Sequence, residues 1–253
     1  MKNKKSKELK ISKRSYKEFI SGELVNLCIP SEDAIKLDGW ADWFNDHENL
    51  KNTSHGIFPN TSSNQKKILK EIKRQLREVD DQKKIVLLLC EKKNNHAFGV
   101  ISLQSIDLIN KSAEIAINIG NPKISGMSTL ASLEAMALIS EHGFDLLGLE
   151  RICAGQAYPS LLGWNKLLEV IGFKAEGISR KSFKRGHRFS DILNIACSYE
   201  DYILLKDIRG SLWGNLSIIK KVLRNQPKNS FAQKIESYFT KIEKNNFKYI
   251  FKK

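Results

Sequence analysis

The sequence predicts a mixed α/β fold, because segments with strand periodicity alternate with segments of helical periodicity along most of the chain. Residues 85–90 form a uniformly apolar run, which is typical of a strand buried on both faces. Residues 63–80 carry aliphatic side chains at helical spacing, namely Ile68, Ile72, Leu76 and Val79. Strands at 85–90, 98–106 and 113–119 follow one another directly, which predicts an antiparallel meander.

The other elements follow from turn residues and from changes of period. A first strand at 23–29 ends at Pro30, and Ser31 can cap the helix that comes next. The remaining predicted elements are helices at 127–143 and 161–171 and strands at 151–155, 174–183 and 189–199. After residue 200 the pattern is helical, and a second stripe is formed by Phe231, Ile235, Phe239 and Ile242. This stripe packs either on the body of the protein or on a second subunit.

The positive charge of the protein is concentrated at its two ends. The 253 residues carry a net charge of +14, to which residues 1–20 contribute +6 and residues 219–253 contribute +8. We therefore divide the chain into a basic arm at 1–20, expected to be frayed or weakly helical, a domain at 21–200, and a basic helical extension at 201–253. We expect the basic ends to be solvated; weak contact with RNA or another acidic partner is the alternative.

Composition indicates a folded protein of the cytoplasm. Hydrophobic residues make up 41% of the chain and charged residues 28%, which excludes wholesale disorder. The longest apolar run is far shorter than the roughly 20 residues that span a bilayer. The basic N-terminus has no apolar stretch behind it, so no secretory signal is predicted. Four cysteines in apolar, strand-like contexts predict free, buried thiols in a reducing compartment: Cys28, Cys90, Cys153 and Cys197. The five histidines show no metal-ligand spacing, so we predict no metal site.

The segment with the strongest functional signal is the turn from the strand at 113–119 into the helix at 127–143. Backbone N–H groups at a helix N-terminus attract anions, and small residues let a pyrophosphate approach the backbone closely. Gly126, Ser128 and Thr129 are small, and Lys123 adds positive charge. The glycine patterns of P-loops and of dinucleotide-binding folds are absent. A tight structural turn explains this loop about as well as an anion site does.

Four segments, in this order, resemble the GNAT superfamily of N-acetyltransferases, in particular the branch of ribosomal-protein N-terminal and nucleotide amino-sugar acetyltransferases. The first is residues 43–48 (WFNDHE). The second is the central meander, with residues 99–103 (GVISL) and 113–120 (AEIAINIG). The third is residues 123–128 (KISGMS), at the place of the family's pyrophosphate loop. The fourth is residues 171–177 (IGFKAEG) with Asp191. Together the four segments span roughly residues 22–200.

The resemblance implies a seven-stranded, mostly antiparallel sheet with helices on both faces. It implies that acetyl-CoA, the acyl donor, enters a gap between the fourth and fifth predicted strands, at 113–119 and 151–155. The residues that it assigns to the donor are Asn118, Ile119, Gly120, Lys123, Ser125, Gly126, Met127, Ser128 and Thr129. The sequence departs from the family in the helix at 161–171. Leu161 and Leu168 stand where the family often has an asparagine and a tyrosine that acts as general acid.

The resemblance implies direct transfer of an acetyl group to a primary amine, which needs a base and, at most, a weak acid. The resemblance implies that Glu114 is the candidate base, because the family often has a carboxylate on the strand beside the CoA loop. Strand alternation turns Glu114 away from the isoleucines beside it; a purely structural role is an equal alternative. Tyr158 is the candidate acid, with core packing as the alternative. Trp43, Asn45 and His55 are the candidate acceptor contacts.

We expect the acceptor to be a small-molecule amine, namely an amino-sugar nucleotide. A protein N-terminus of the ribosomal type is the second choice. A non-catalytic CoA-binding module is the rival class, because the usual acid is missing. The sequence is compatible with a monomer or a homodimer.

Overall fold

A single eight-stranded sheet forms the centre of the protein. The computed structural model describes residues 16–46, 59–75, 83–120, 128–185, 187–229, 231, 233–238 and 241. The strands are β1 (Glu18–Ser21), β2 (Val25–Cys28), β3 (Lys84–Glu91), β4 (Ala97–Asp107), β5 (Ser112–Ile119), β6 (Arg151–Tyr158), β7 (Lys174–Arg185) and β8 (Arg188–Ser198). Their order is β1-β2-β3-β4-β5-β6-β8-β7, and only the β5–β6 pair is parallel. The predicted mixed α/β class and the mostly antiparallel sheet are confirmed.

The strand β1 corrects, for residues 16–20 alone, the expectation that residues 1–20 are a frayed or weakly helical arm; residues 1–15 lie outside the described residues. Residues Glu18–Ser21 pair antiparallel with β2 and add one strand to the seven that were expected. Just before it, Tyr16 is buried and its hydroxyl donates a hydrogen bond to Asp38. The hydrogen-bonding edge of β2 supplies partners for the backbone of β1, and this pairing leaves no trace in local hydrophobic periodicity.

Helices cover both faces of the sheet. They are α1 (Glu32–Leu37), α2 (Ser62–Gln75), α3 (Ser128–Leu147), α4 (Leu162–Val170), α5 (Tyr199–Arg209) and α6 (Leu216–Asn225), with a short 3₁₀ turn at Asp42–Phe44. The predicted helix at 127–143 is confirmed and runs four residues further. The predicted helix at 63–80 is confirmed as far as Gln75, and its remainder lies outside the described residues.

Two hydrophobic cores lie on opposite faces of the sheet. The larger core, on what we call the α3 face, joins α3 to β2, β4, β5 and β6. The smaller core, on what we call the α1 face, packs Trp40 and Trp43 with α1 and α2 against Leu88 of β3. The aromatic cluster around Trp40 is thus core material.

The C-terminal helices are part of the larger core. Three residues are buried in it: Tyr202 of α5, Trp213 between the two helices, and Ile219 of α6. Glu141 of α3 accepts a hydrogen bond from the backbone N–H of Leu212 at 2.6 Å. Glu23, in the β1–β2 turn, accepts another from the Trp213 indole at 3.0 Å. The C-terminal extension is therefore joined to both the sheet and α3. No helix among the described residues is long and apolar enough to cross a membrane.

Candidate active site

The geometry of the β5–β6 pair creates a cleft in the middle of the sheet. The two strands pair over three residues, from Ser112 opposite Arg151 to Glu114 opposite Cys153. Beyond that point their pairing ends, although β5 stays paired with β4 to Ile119 and β6 with β8 to Tyr158. The two parallel strands therefore open towards their carboxyl ends.

Glu114 lies at the narrow end of the cleft, on the α1 face. Ile115 next to it is buried in the larger core, whereas Glu114 is exposed. No hydrogen bond joins its carboxylate to another described residue. Gln104 of β4 and Cys153 of β6 are its register partners on either side. An exposed carboxylate at the narrow end of the cleft, with no hydrogen bond to a described residue, is suited to accept a proton, which is the property required of a general base.

The thiol of Cys153 is held protonated beside Glu114. Burial raises the pKa of Cys153, and the negative charge of Glu114 raises it further, while Arg151 opposes both effects. The Cys153 thiol also donates a weak hydrogen bond to the Ala113 carbonyl oxygen at 3.5 Å. A protonated, hydrogen-bonded thiol is a poor nucleophile, so this cysteine does not favour a covalent route.

Buried polar atoms of β5, β6 and α4 fit the amide-containing arm of the donor. Asn165 of α4 is 0% exposed and Gln156 of β6 is 6% exposed. Both amide atoms of Asn165, Oε1 of Gln156 and Oδ1 of Asn118 lack hydrogen-bond partners within the described part of the chain. Such orphaned groups are costly unless something pairs with them. The pantetheine arm of CoA carries two amides, which offer both N–H donors and carbonyl acceptors.

Gln156 and Asn165 are thus candidate donor contacts that the sequence reasoning missed. Gln156 lies on the α3 face, since its register partner Leu193 belongs to the larger core. The predicted strand stopped at residue 155, one position before Gln156. Asn165 precedes Leu168 by three residues in α4, so the two share one face of the helix. An asparagine on an otherwise apolar helix face was the signal available for it.

The donor residues implied by the family resemblance are only partly within the described residues. Ile119 pairs with Gly99, and the Gly120 N–H donates to the Phe98 carbonyl at 2.9 Å. Asn118 lies on the α1 face, because its register partner Val100 packs against the smaller core. Ser128 begins α3 and Thr129 lies in its first turn. Lys123, Ser125, Gly126 and Met127 lie outside the described residues.

Gly120 is required by its contact with Trp43. A Cβ atom at position 120 would lie 2.0 Å from the indole ring. The Trp43 side chain is 4% exposed, and its indole N–H donates to the Asp38 carbonyl at 3.0 Å. This contact fixes the end of β5, where the cleft is widest, against the smaller core.

Tyr158, the candidate acid, lies at the last position of β6. Its ring is 7% exposed, and its hydroxyl donates a hydrogen bond to the carboxylate of Glu236 in the C-terminal segment. Burial raises the pKa of Tyr158, and the bond to Glu236 raises it further. The hydroxyl therefore stays protonated at neutral pH, but its proton is directed at Glu236. Leu168, where the family often has its acid, is fully buried in the larger core.

Two of the three candidate acceptor contacts, Trp43 and Asn45, lie on the α1 face. The side-chain amide of Asn45 makes two hydrogen bonds with the backbone of Asn60. Its Nδ2 donates to the Asn60 carbonyl at 2.9 Å, and its Oδ1 accepts from the Asn60 N–H at 2.7 Å. This pair holds together the two ends of the segment between residues 46 and 59. His55 belongs to that segment and lies outside the described residues. Among the described residues, no group of three or more His, Cys, Asp or Glu side chains is arranged to hold a metal ion.

Solved structures of acetyltransferases share this fold. Mycobacterium smegmatis RimJ in complex with CoA-disulfide aligns with a TM-score of 0.59 at 15% identity, over 70% of this chain and 83% of that one. The microcin C7 self-immunity acetyltransferase MccE, in complex with acetyl-CoA and AMP, aligns with a TM-score of 0.56 at 20% identity, over 70% and 93%. Spermidine N-acetyltransferase from Vibrio cholerae, in complex with CoA and spermine, aligns with a TM-score of 0.55 at 16% identity, over 71% and 98%.

The family is established by sequence. No curated protein sequence matches the chain significantly. A family profile described as an acetyltransferase (GNAT) domain matches residues 29–174, more than half of the chain, and this range contains both walls of the cleft. The chain belongs to the GNAT acetyltransferase family and is an acetyl-CoA-dependent N-acetyltransferase.

Proposed function

We propose that this acetyltransferase acetylates the primary amine of an amino-sugar nucleotide, with Glu114 as the general base. The observation that carries the proposal is the free, exposed carboxylate at the narrow end of the β5–β6 cleft. It stands on the face opposite to α3, so an acceptor on the α1 face and a donor arm on the α3 face would meet at the cleft.

The chemistry then needs few groups from the protein. Glu114 accepts a proton from the acceptor ammonium and releases it to solvent, so that the neutral amine can attack. As the new C–N bond forms and the C–S bond of the thioester breaks, Glu114 accepts the second proton from the nitrogen. Acetyl-CoA supplies an activated acyl group, whose thiol leaving group has a pKa of roughly 8.5 and needs only modest help. The Tyr158 hydroxyl is the proposed proton donor to that sulfur, with Glu236 holding it until the donor displaces the contact. The donor is proposed to lie against Asn165, Gln156 and the segment 118–129.

We infer the class of acceptor from the sequence of the segment next to the α1 face. Residues 43–61 resemble the amino-sugar branch, and two hydrogen bonds between Asn45 and Asn60 bring residues 45 and 60 together on this face. Trp43, Asn45 and His55 are the proposed acceptor contacts. Trp43 would act from beneath the site, because its ring is buried.

A second candidate acceptor is a protein N-terminus, as in ribosomal-type acetyltransferases. The basic ends of the chain favour it, since residues 1–20 and 219–253 together carry the whole net charge. Such ends could contact the RNA of a ribonucleoprotein substrate. We propose the cytoplasm as the compartment, in keeping with the cysteine contexts of the sequence.

An acceptor panel tests the proposal. Purified protein and acetyl-CoA are incubated with a nucleotide amino sugar, a peptide with a free N-terminus, and a polyamine, and products are identified by mass spectrometry. Acetylation of the nucleotide amino sugar with the highest kcat/KM is expected. Preferential peptide acetylation would favour the second candidate. Tight acetyl-CoA binding with no transfer to any amine would instead favour a non-catalytic CoA-binding module.

A further inference from the structure

The segment after α6 wraps around α4. We call it the C-terminal strap, and its described residues are 226–229, 231 and 233–238. The Gln226 side-chain amide donates to the Lys166 carbonyl at 2.8 Å. The Lys166 ammonium donates to the Lys228 carbonyl at 3.2 Å, and the Phe231 N–H donates to Glu169 at 2.9 Å. The strap therefore contacts α4 at Lys166 and at Glu169.

The strap then reaches the end of β6. Ile235 packs against the larger core, and the neighbouring Glu236 accepts the hydrogen bond from Tyr158. This also decides the alternative left open by the sequence: at Ile235, the second helical stripe packs on the body of the protein. Phe231 of the same stripe remains about half exposed, while Phe239 and Ile242 lie outside the described residues.

The position of Tyr158 places this contact at the wide end of the cleft. Because β5 and β6 are parallel, their carboxyl ends share one edge of the sheet, and Tyr158 is the last residue of β6. Tyr158 lies on the α3 face, where Gln156 and Asn165 carry their orphaned amide atoms. The helix α3 begins from the same edge, nine residues after Ile119.

We propose that the C-terminal strap is a latch on the donor entrance, closed by the Tyr158–Glu236 hydrogen bond and opened when acetyl-CoA binds. This inference rests on the donor binding in the β5–β6 cleft. Glu236 adds a negative charge at an entrance that a polyanionic nucleotide has to pass, so the closed latch opposes binding both by occupancy and by charge. The apparent dissociation constant is the intrinsic one divided by the fraction of open protein.

The test compares donor binding by the parent protein with donor binding by three point variants and one truncated form. Acetyl-CoA is titrated calorimetrically, and its association rate is followed by stopped flow. Glu236→Ala removes the latch, and it is expected to tighten binding and speed association about three- to tenfold. Glu236→Gln keeps an acceptor oxygen without the charge and should give a smaller effect. Truncation after Asn229 should match or exceed Glu236→Ala. Ser237→Ala, one residue further along the strap, is the matched control and should leave both quantities unchanged.

Hydrogen exchange of the unmodified protein provides a measurement that does not depend on a variant folding. Bound CoA is expected to speed amide exchange in residues 233–238, because the latch opens. Unchanged or slowed exchange in those residues would contradict the proposal, as would weaker or unaltered acetyl-CoA binding in Glu236→Ala. The parent protein is titrated first: if it binds no acetyl-CoA, the failure lies with donor binding itself and not with the latch.

Discussion

The strand β5 faces two different environments. On the α3 face it presents Ile115, Ile117 and Ile119 to the larger core, under a helix of 20 residues. On the α1 face it presents Glu114, Ala116 and Asn118, and the first of these is exposed. The side chains on one face of β5 thus pack into the larger core, and the proposed base, Glu114, lies on the other face.

If Glu114 is the base, the contrast between the two faces separates residues that stabilise the fold from the residue that reacts. The α3 face anchors the β1–β2 turn and the C-terminal helices through carboxylates of α3, so changes there should lower the free energy of unfolding. The α1 face is tightly packed near Trp43 but open at Glu114. Changes at Glu114 should therefore reduce turnover while leaving the fold intact.

The largest effect is expected where β5 touches the smaller core. Gly120→Ala places a Cβ atom 2.0 Å from the buried indole of Trp43. We expect a loss of about 3 kcal/mol in the free energy of unfolding, because neither partner has room to move. Urea denaturation measures the loss. Gly163→Ala is the control, since its Cβ would meet nothing within 4 Å. An equal loss in both variants would show that the contact with Trp43 is not the cause.

A large kinetic effect is expected at the exposed position of β5. Glu114→Gln should lower kcat about 100-fold, which is typical for the loss of a general base. The affinity for acetyl-CoA should be unchanged, because the donor arm is proposed to lie on the α3 face, opposite to Glu114. Glu150→Gln removes a carboxylate that is exposed and paired with Lys111, and should leave turnover intact. If Glu114→Gln kept the turnover and pH profile of the parent protein, Glu114 would not be the base.

A smaller effect is expected at the buried carboxylate of α3. Glu134 accepts hydrogen bonds from the backbone N–H groups of Glu23, Leu24 and Val25. Glu134→Gln replaces one acceptor oxygen by a donor, and should cost about 2 kcal/mol of unfolding free energy. Chemical denaturation of both proteins at fixed pH measures it. Ser237→Ala, on the exposed strap, should cost nothing measurable.

The same carboxylate predicts a dependence of stability on pH. Burial raises the pKa of Glu134 above its usual value of 4.5, although the three N–H donors oppose the shift. The folded state then binds the proton more tightly than the unfolded state, so this contribution is full below pH 4.5 and is lost as the pH rises through the folded pKa. Glu134→Gln should remove this component. Denaturation midpoints measured from pH 4 upwards would contradict the assignment if both proteins gave the same slope.

The smallest effect is expected at the ion pair of Arg151 and Glu176, which joins β6 to β7 across the α1 face. Both side chains are about two-fifths exposed, so solvent screens their attraction. Glu176→Gln should cost less than about 1 kcal/mol of unfolding free energy, and the difference should shrink in 1 M salt. A larger, salt-independent loss would show that the α1 face carries more of the stability than its open surface indicates.

Most elements of the fold were predictable from local pattern. The apolar run at 85–90, the meander and the predicted helix as far as Gln75 all appear, because burial on one or both faces imposes a period on the sequence. Glu114 was placed on the correct face by strand alternation alone. The strand β1 was missed, since its formation depends on hydrogen bonds to the edge of β2 rather than on a pattern in its own side chains.

The amino-acid sequence by itself determined the class of the fold, the alternation of β5 and, through four spaced segments, the family. These properties depend on neighbouring residues or on the order of segments along the chain, so the sequence alone reveals them. Only the tertiary structure decided that buried amide atoms of Gln156 and Asn165 lack partners among the described residues, that Trp43 requires a glycine at 120, and that Glu236 meets Tyr158. The residues of that last pair are 78 positions apart. Contacts of this kind depend on how the helices pack around the sheet, and no periodicity in the sequence records them.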